Sequence, residues 1–421
     1  MNRINRHTEE NDIPIRLVIV NQYFHPDQTA LSQIITDLTI GLSERNYGID
    51  IVCSRHTQID TTEFPRSFGS KVMVRNVGGT RFGKSTILGR FIDYISFYIF
   101  ATIAVLKINK TALIMTTTAP PLIGLVGVLV KRIHRCKFVY NIQDLYPHTA
   151  IALGILKNKM VISFFEYLLN IILRSADHII TIGEDMKRQI LSMNKEVHIS
   201  VIHNWADGEK IYPVPPQKNL FIANNGYQNK FIVLYSGNFG MAHSFAIFLE
   251  AAQKLLTVPD IIFVFIGDGK QKDYIVRTVN EWGLSNVAIR YYEPPELLHY
   301  SLSSAHIGLI SLARGLEGYI VPSKVYSMMA AGLSILYSGD SNSTVAKIIE
   351  SAQCGYRVDQ NDSEELVRHI YSQYNDRVLN DTLKKNARKY FEQHFERELA
   401  IEMYDATFRQ ILNDNGEKTY T

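Results

Sequence analysis

A chain of 421 residues with 46% hydrophobic and 20% charged residues is too long for one hydrophobic core and too apolar for extended disorder, so two domains of about 200 residues each are expected. Three widely separated cysteines, Cys53, Cys136 and Cys354, exclude a disulfide framework and a thiolate metal centre, and are expected to be reduced and buried. The net charge is only +3, yet residues 1–205 carry 23 Lys/Arg against 16 Asp/Glu, which makes that half +7 and the rest −4. A basic half suits a phosphate-bearing acceptor or a membrane surface, or is simply a solvated basic face.

Residues 1–12 are polar, aperiodic and without the apolar stretch of a signal peptide, so they read as a disordered tail on a cytoplasmic chain. Short apolar runs at 16–24, 49–54, 71–77, 112–118, 137–144 and 178–183 then read as strands, with a helix at 31–42 after the first. Strands alternating with helices imply a parallel sheet covered on both faces, a Rossmann-like domain over 13–205. Three intervening helices, at 91–106, 122–130 and 160–173, are unusually apolar. Each is shorter than the roughly 20 residues that cross a bilayer, and the first contains Asp93. Lys107, Lys110, Lys131, Arg132, Arg135 and Lys137 flank them. That pairing suits helices lying in a membrane interface, and core helices of an α/β domain explain the apolar residues equally well.

The stretch 206–230 is rich in Pro, Asn and Gly and reads as the linker. A second series of strands follows at 231–237, 261–269, 287–292, 307–312 and 333–339, giving a second Rossmann-like domain over 231–400. A last helical stretch at 382–413 carries apolar residues at helical spacing and is expected to pack back on the domains, with 401–421 as terminal helix and tail. Two such domains face each other across a cleft, and ligands bind there at the carboxyl ends of the strands.

Three segments could carry chemistry. GGTRFGKS at 78–85 fits the phosphate-loop pattern through Gly78, Gly83, Lys84 and Ser85. A nucleotide-hydrolysing loop also needs a magnesium carboxylate on a neighbouring strand, for which Asp144 is the one candidate; a basic turn before a membrane-facing helix explains the same residues. YSGNFG at 235–240 sits between a strand and a helix, where glycines let backbone N–H groups approach phosphate oxygens. GLEGYIVPSKVYSMMAAG at 315–332 places Pro322 and Ser323 at a helix start, with Ser323 expected to cap it. Lys324 then stands in the first turn, where the helix dipole disfavours a cation unless an anion binds there too.

Together these segments resemble the family 4 type of retaining glycosyltransferases with the GT-B fold, in the branch that builds exopolysaccharide, colanic-acid-like or O-antigen units. The matching pieces are NQYFHPDQTA (21–30), TTTAPP (116–121), NIQDLYPHTA (141–150), HNWAD (203–207), YSGNFG, FIGDG (265–269) and VPSKVYSMMAAG (321–332), in family order over about three quarters of the chain. The resemblance implies a nucleotide-sugar donor on the second domain, an acceptor on the first, net retention, and neither a metal nor a cofactor. Gly237, Asn238 and Gly240 would line the donor diphosphate, with Ser323 and Lys324 completing the anion site and Gly267 also at the donor. Tyr292 and Glu293 match the loop that meets the base, and Asp144 would face the donor sugar or acceptor.

This sequence departs from the family at four places. Asn238 and His243 stand where many relatives carry Arg and Lys, and Tyr319 and Ser327 stand at the two positions of the family's paired glutamates, the second of which usually holds the ribose, so both are expected at the donor, with Glu317 close by. Lys324 is therefore the main candidate for charge neutralisation. The expected reaction moves a sugar from a UDP-sugar, rather than a GDP-sugar, to a polyprenyl-diphosphate-linked acceptor at the inner face of the cytoplasmic membrane, with no nucleic acid as partner. A nucleotide-sugar epimerase, an inert sugar-nucleotide-binding scaffold and the phosphate-loop protein remain the alternatives.

Overall fold

The computed structural model describes residues 14–27, 29–55, 71–80, 82 and 87–414. The expected N-terminal tail lies outside them, as do Gly83, Lys84 and Ser85 of the phosphate-loop pattern. The first domain runs β1 (Ile15–Val20), α1 (Ala30–Ser43), β2 (Tyr47–Ser54), β3 (Val72–Val77), α2 (Ile87–Leu106), β4 (Leu113–Thr116), α3 (Gly124–His134), β5 (Lys137–Ile142), α4 (His148–Ala152), α5 (Lys159–Ser175), β6 (His178–Thr181), α6 (Glu184–Met193) and β7 (Ile199–Val201). Its strands form a wholly parallel sheet ordered β3-β2-β1-β4-β5-β6-β7. The central runs LVIV of β1 and LIMT of β4 are buried at every position, as a sheet covered by helices on both faces requires.

The second domain contains α7 (Leu220–Asn225), β8 (Phe231–Ser236), α8 (Ala246–Lys254), β9 (Ile261–Ile266), α9 (Lys272–Glu281), β10 (Val287–Arg290), α10 (Leu298–Ser303), β11 (Ile307–Ser311), α11 (Lys324–Ala330), β12 (Ser334–Ser338), α12 (Thr344–Ala352), β13 (Gly355–Val358), α13 (Ser363–Asn375), α14 (Arg377–His394) and α15 (Arg397–Asn413). Its parallel sheet is ordered β10-β9-β8-β11-β12-β13. Both sheets reverse their winding beside their first strand, and such a switch point opens a crevice at the strands' carboxyl ends. In the second domain that crevice lies between the turn after β8 and the segment leading from β11 to α11.

The chain departs from its sequence reading in four places. The supposed linker contains a helix: Asn219 caps α7 and its Nδ2 donates to the Tyr300 carbonyl at 2.9 Å and to Ser303 Oγ at 3.1 Å, fixing the segment to the second domain. The single terminal stretch is two helices, separated where buried Phe395 plugs the core. α14 packs on α11 and β12, whereas α15 crosses to the first domain and lies on α1. Gly41 permits that approach, because a Cβ there would stand 2.5 Å from Ile401 Cδ1. β7 and β13 escaped the reading because both are short edge strands with partly exposed residues.

Candidate functional site

The site begins with two glycine turns, after β8 and β9, stacked beside the end of β10. Gly237 leaves β8 with φ +136°, and its N–H donates to the Ile266 carbonyl at 2.9 Å. Phe239 N–H donates to Asp268 O at 2.8 Å, and Gly267 N–H to Arg290 O at 2.9 Å. The turns are so close that a Cβ on Gly267 would lie 2.0 Å from the Gly237 carbonyl oxygen. Alternate N–H groups are thus spent inside the stack, while among the described residues those of Asn238 and Gly240 have no protein acceptor. Two unspent donors two residues apart, with an exposed Asn238 side chain between them, make a seat of the kind that phosphate oxygens can occupy. Tyr292 joins this seat through its hydroxyl, which donates to Asp268 O at 3.4 Å, and Glu293 follows it in the same loop.

Lys324 opens α11 directly across from that seat. A Cβ on Gly237 would lie 3.4 Å from Lys324 Cε and 3.6 Å from its Nζ, so the glycine leaves room for the lysine to lie over the turn. Its Nζ donates to Tyr235 Oη and stands 3.8 Å from the centre of that ring. No carboxylate pairs with it among the described residues, and burial pushes its ammonium pKa well down. A desolvated cation without a counter-charge is costly, and an anion bound beside it would supply that charge. Ser323 precedes it in helical geometry with no capping bond, so the expected cap is not formed: φ −64° and ψ −17° turn its backbone into the helix and leave its hydroxyl unused by α11. Ser327, one turn on, donates instead to the Lys324 carbonyl at 3.1 Å.

His243 does not replace a missing cation. Its Nδ1 is bonded to the Ser311 carbonyl at 2.6 Å, and burial, with the Lys324 charge second, brings its pKa down to about 3. The ring is neutral at working pH, with its proton on Nδ1 because a carbonyl only accepts.

Asp144 comes from the first domain, just past β5, and meets the second domain there: it forms an isolated antiparallel bridge with Ile320, and Leu145 N–H donates to Tyr319 O at 2.9 Å. Burial brings its carboxyl pKa up to about 6. Thr118 Oγ1 accepts from the N–H groups of Gln143 and Asp144 at 3.2 and 3.1 Å, which pins the carboxylate's backbone. Behind it, Asn204 donates to Gln143, Gln143 to Asn141 and Asn141 to Tyr404 of α15, at 2.8, 3.1 and 2.9 Å. Tyr319 stacks its ring on His148 of α4 at 5.3 Å, joining the domains. Glu317 closes its own turn by accepting from Gly315 N–H at 2.7 Å.

Sequence reasoning missed two groups. Tyr235 looks like an ordinary strand residue because it is fully buried, and only its register beside Lys324 reveals its use. Asp185, at the start of α6, accepts from Thr344 N–H at 2.9 Å and from Thr344 Oγ1, so it holds the first residue of α12 of the opposite domain. The segment around Gly78 fares worse than its pattern promised. It follows β3, an edge strand with three strands between it and β5, which precedes Asp144, and both the Thr80 hydroxyl and the Phe82 N–H are spent on the Asp93 carboxylate.

The apolar helices of the first domain are both core and surface. Phe97, Ala101 and Val105 of α2 and Leu169, Ile172 and Leu173 of α5 face inward. Phe91, Ile95, Ile99 and Ile103 recur every four residues on the outer face of α2, and Met160, Phe164 and Tyr167 on that of α5, with Met160 83% exposed. α3 lies between them and adds exposed Leu129 and Ile133. Of the flanking cations, Lys131 is paired with Asp177 at 2.8 Å and Lys137 donates to Asp414 O, whereas Lys107, Lys110, Arg132 and Arg135 are exposed. α2 is longer than its sequence suggested, and even so no described helix is long and apolar enough to cross a membrane. All three cysteines are free and buried.

Residues 216–390 match the family profile described as glycosyl transferases group 1. Over 408 residues, 95% of this chain and 99% of its relative, the chain is 24% identical to "Probable glycosyltransferase WbjE" of Pseudomonas aeruginosa. It is 23% identical over 53% of its length, and 56% of the relative's, to WcaI of Escherichia coli (strain K12), a glycosyl transferase assigned provisionally to colanic acid biosynthesis. Among solved structures, Anabaena Alr3699/HepE in complex with UDP and glucose superposes with a TM-score of 0.72 at 15% identity, covering 94% of this chain and all of that one. The fold is therefore that of the GT-B glycosyltransferases.

Proposed function

We propose, from the premise that this chain is a glycosyltransferase whose residues 216–390 belong to the glycosyl transferases of group 1, that it moves a sugar from a UDP-sugar to a lipid-linked saccharide in surface-polysaccharide synthesis, with retention. The observation that carries the reading is Lys324, a half-buried lysine with no carboxylate partner among the described residues, lying across a glycine turn with two unspent N–H groups. The names of the relatives support polysaccharide synthesis, and the UDP bound to HepE supports the choice of base.

In this reading the diphosphate lies over Asn238 and Gly240. As the glycosidic bond to it lengthens, negative charge grows on its outer oxygens, and the Lys324 ammonium stabilises that charge where little water screens it. Asp144 accepts hydrogen bonds from sugar hydroxyls in its ionised form. Turnover therefore falls as pH drops through about 6, where its carboxyl takes up a proton, and Asp144→Asn loses this acid limb. The acceptor's lipid diphosphate sits at a bilayer surface met by α2, α3 and α5, whose exposed apolar residues enter the interface while Lys107, Lys110, Arg132 and Arg135 meet anionic headgroups.

A thermal-shift series with UDP, GDP, ADP and their sugars tests the donor, since a ligand at a hundred times its Kd stabilises the fold by about 2.7 kcal/mol. UDP and a UDP-sugar are expected to raise Tm most; equal shifts from ADP would overturn the base. Product formed from donor alone would favour the epimerase, and donor binding without transfer to any acceptor would favour the scaffold.

A further inference from the structure

We propose that Tyr235 is a positioning residue for the transfer step, its hydroxyl holding Lys324 against the glycine turn so that the ammonium is in place before the diphosphate arrives. The proposal rests on the donor-site reading above. Tyr235 is fully buried at the penultimate position of β8, its ring packed by Phe239, Phe245 and Phe265 with centroids 5.8, 4.7 and 6.4 Å away. The ring cannot move, so neither can the hydroxyl. That hydroxyl donates to the Asn238 carbonyl at 2.8 Å and accepts from Lys324 Nζ, and thus joins the phosphate seat to the cation.

A lysine has a flexible four-carbon stem and is usually fixed by a carboxylate. Here a carboxylate would compete with the diphosphate for the ammonium. A neutral hydroxyl, backed by the ring face 3.8 Å from Nζ, orients the amine without neutralising it. The hydroxyl thus leaves the ammonium without a competing counter-charge, and little reorganisation is left for the reaction itself.

Tyr235→Phe keeps the ring and deletes the hydroxyl. If the hydroxyl positions Lys324, kcat falls about tenfold or more while the donor KM changes by less than about threefold, because the ammonium acts mainly on charge that develops at the transition state. In a Lys324→Ala background the same substitution has no further effect, whereas a merely structural role gives losses that multiply. Should Tyr235→Phe fail to fold, 3-fluorotyrosine installed at position 235 alone preserves shape and weakens the acceptor, and kcat is again expected to fall. Unchanged kcat in a folded variant, or full additivity with Lys324→Ala, overturns the positioning role. Wild-type protein that neither binds nor turns over any UDP-sugar defeats instead the functional reading on which it rests.

Discussion

The two domains share one architecture and differ in where they spend exposed surface. In the second domain the turns after β8 and β9 lock together and to the end of β10 through backbone bonds, and none of its described helices exposes more than one large apolar side chain. In the first domain α2 alone exposes six, Phe91, Ile92, Ile95, Ile99, Phe100 and Ile103. Scattered apolar residues are ordinary, whereas a ridge repeated every four residues beside unpaired cations costs solubility unless something covers it. The same winding thus carries two features: a rigid stack of backbone turns on one side, and a broad greasy face on the other.

The comparison breaks most sharply at Lys324. Lys324→Ala removes the cation of the seat and is expected to lower kcat/KM by about a thousandfold, the range seen when a preorganised charge-stabilising group is deleted. Circular dichroism should show the fold intact, because burying an unpaired cation is no source of stability. Next comes Gly267→Ala. Its Cβ would stand 2.0 Å from the Gly237 carbonyl oxygen at a φ of +153°, so the two turns must separate. Loss of about a hundredfold in turnover is expected together with a lower Tm; a variant with wild-type UDP affinity would show that the stacked turns are not the seat.

How much of this could be read from the sequence depends on what each residue's role rests on. The strands were legible because buried parallel strands are continuous apolar runs, and Lys324 was legible because a cation in a helix's first turn is locally out of place. β7 and β13 are short edges with no such run. Tyr235 and Asp185 act through partners 89 and 159 residues away, and no local pattern announces a long-range hydrogen bond. The Gly78 pattern illustrates the converse: its glycines and lysine satisfy a motif, but β3 is an edge strand and Asp93 already occupies nearby donors. Apolar helices could be read as core or as membrane-facing because α2 and α5 are each apolar on both sides.

The first domain's face is sharpened by Ile99→Glu combined with Phe164→Glu, both on outer ridges. Burying a large apolar side chain in an interface yields about 1.5–3 kcal/mol, so losing two and adding two like charges should weaken binding to vesicles rich in anionic lipid by tenfold or more. UDP affinity should not change, since neither residue belongs to the glycine turns. Sedimentation that stays as strong for the double variant as for wild type would return these helices to the status of a solvated surface.

The smallest effect is expected where the domains meet. Asp185 is a buried carboxylate whose oxygens take the N–H and the hydroxyl of Thr344, so an acid of the first domain holds the first residue of a helix of the second and ties the domains together. Thr344→Val keeps the side chain's shape and the backbone donor and deletes only the hydroxyl, leaving one carboxylate oxygen without that bond. A hydrogen bond to a charged group contributes about 1.5–3 kcal/mol, but part of it is regained when the opened domains let Asp185 reach water. The Leu145–Tyr319 and Asp144–Ile320 backbone links and the Arg188 bond to Asn342 O remain. A rise in donor KM of only about threefold follows, with a larger radius of gyration in the absence of donor and the wild-type value restored by saturating UDP-sugar. A variant whose unliganded radius matches wild type would mean that the backbone links alone hold the cleft, and that the second domain's rigid seat reaches its partner domain without this acid.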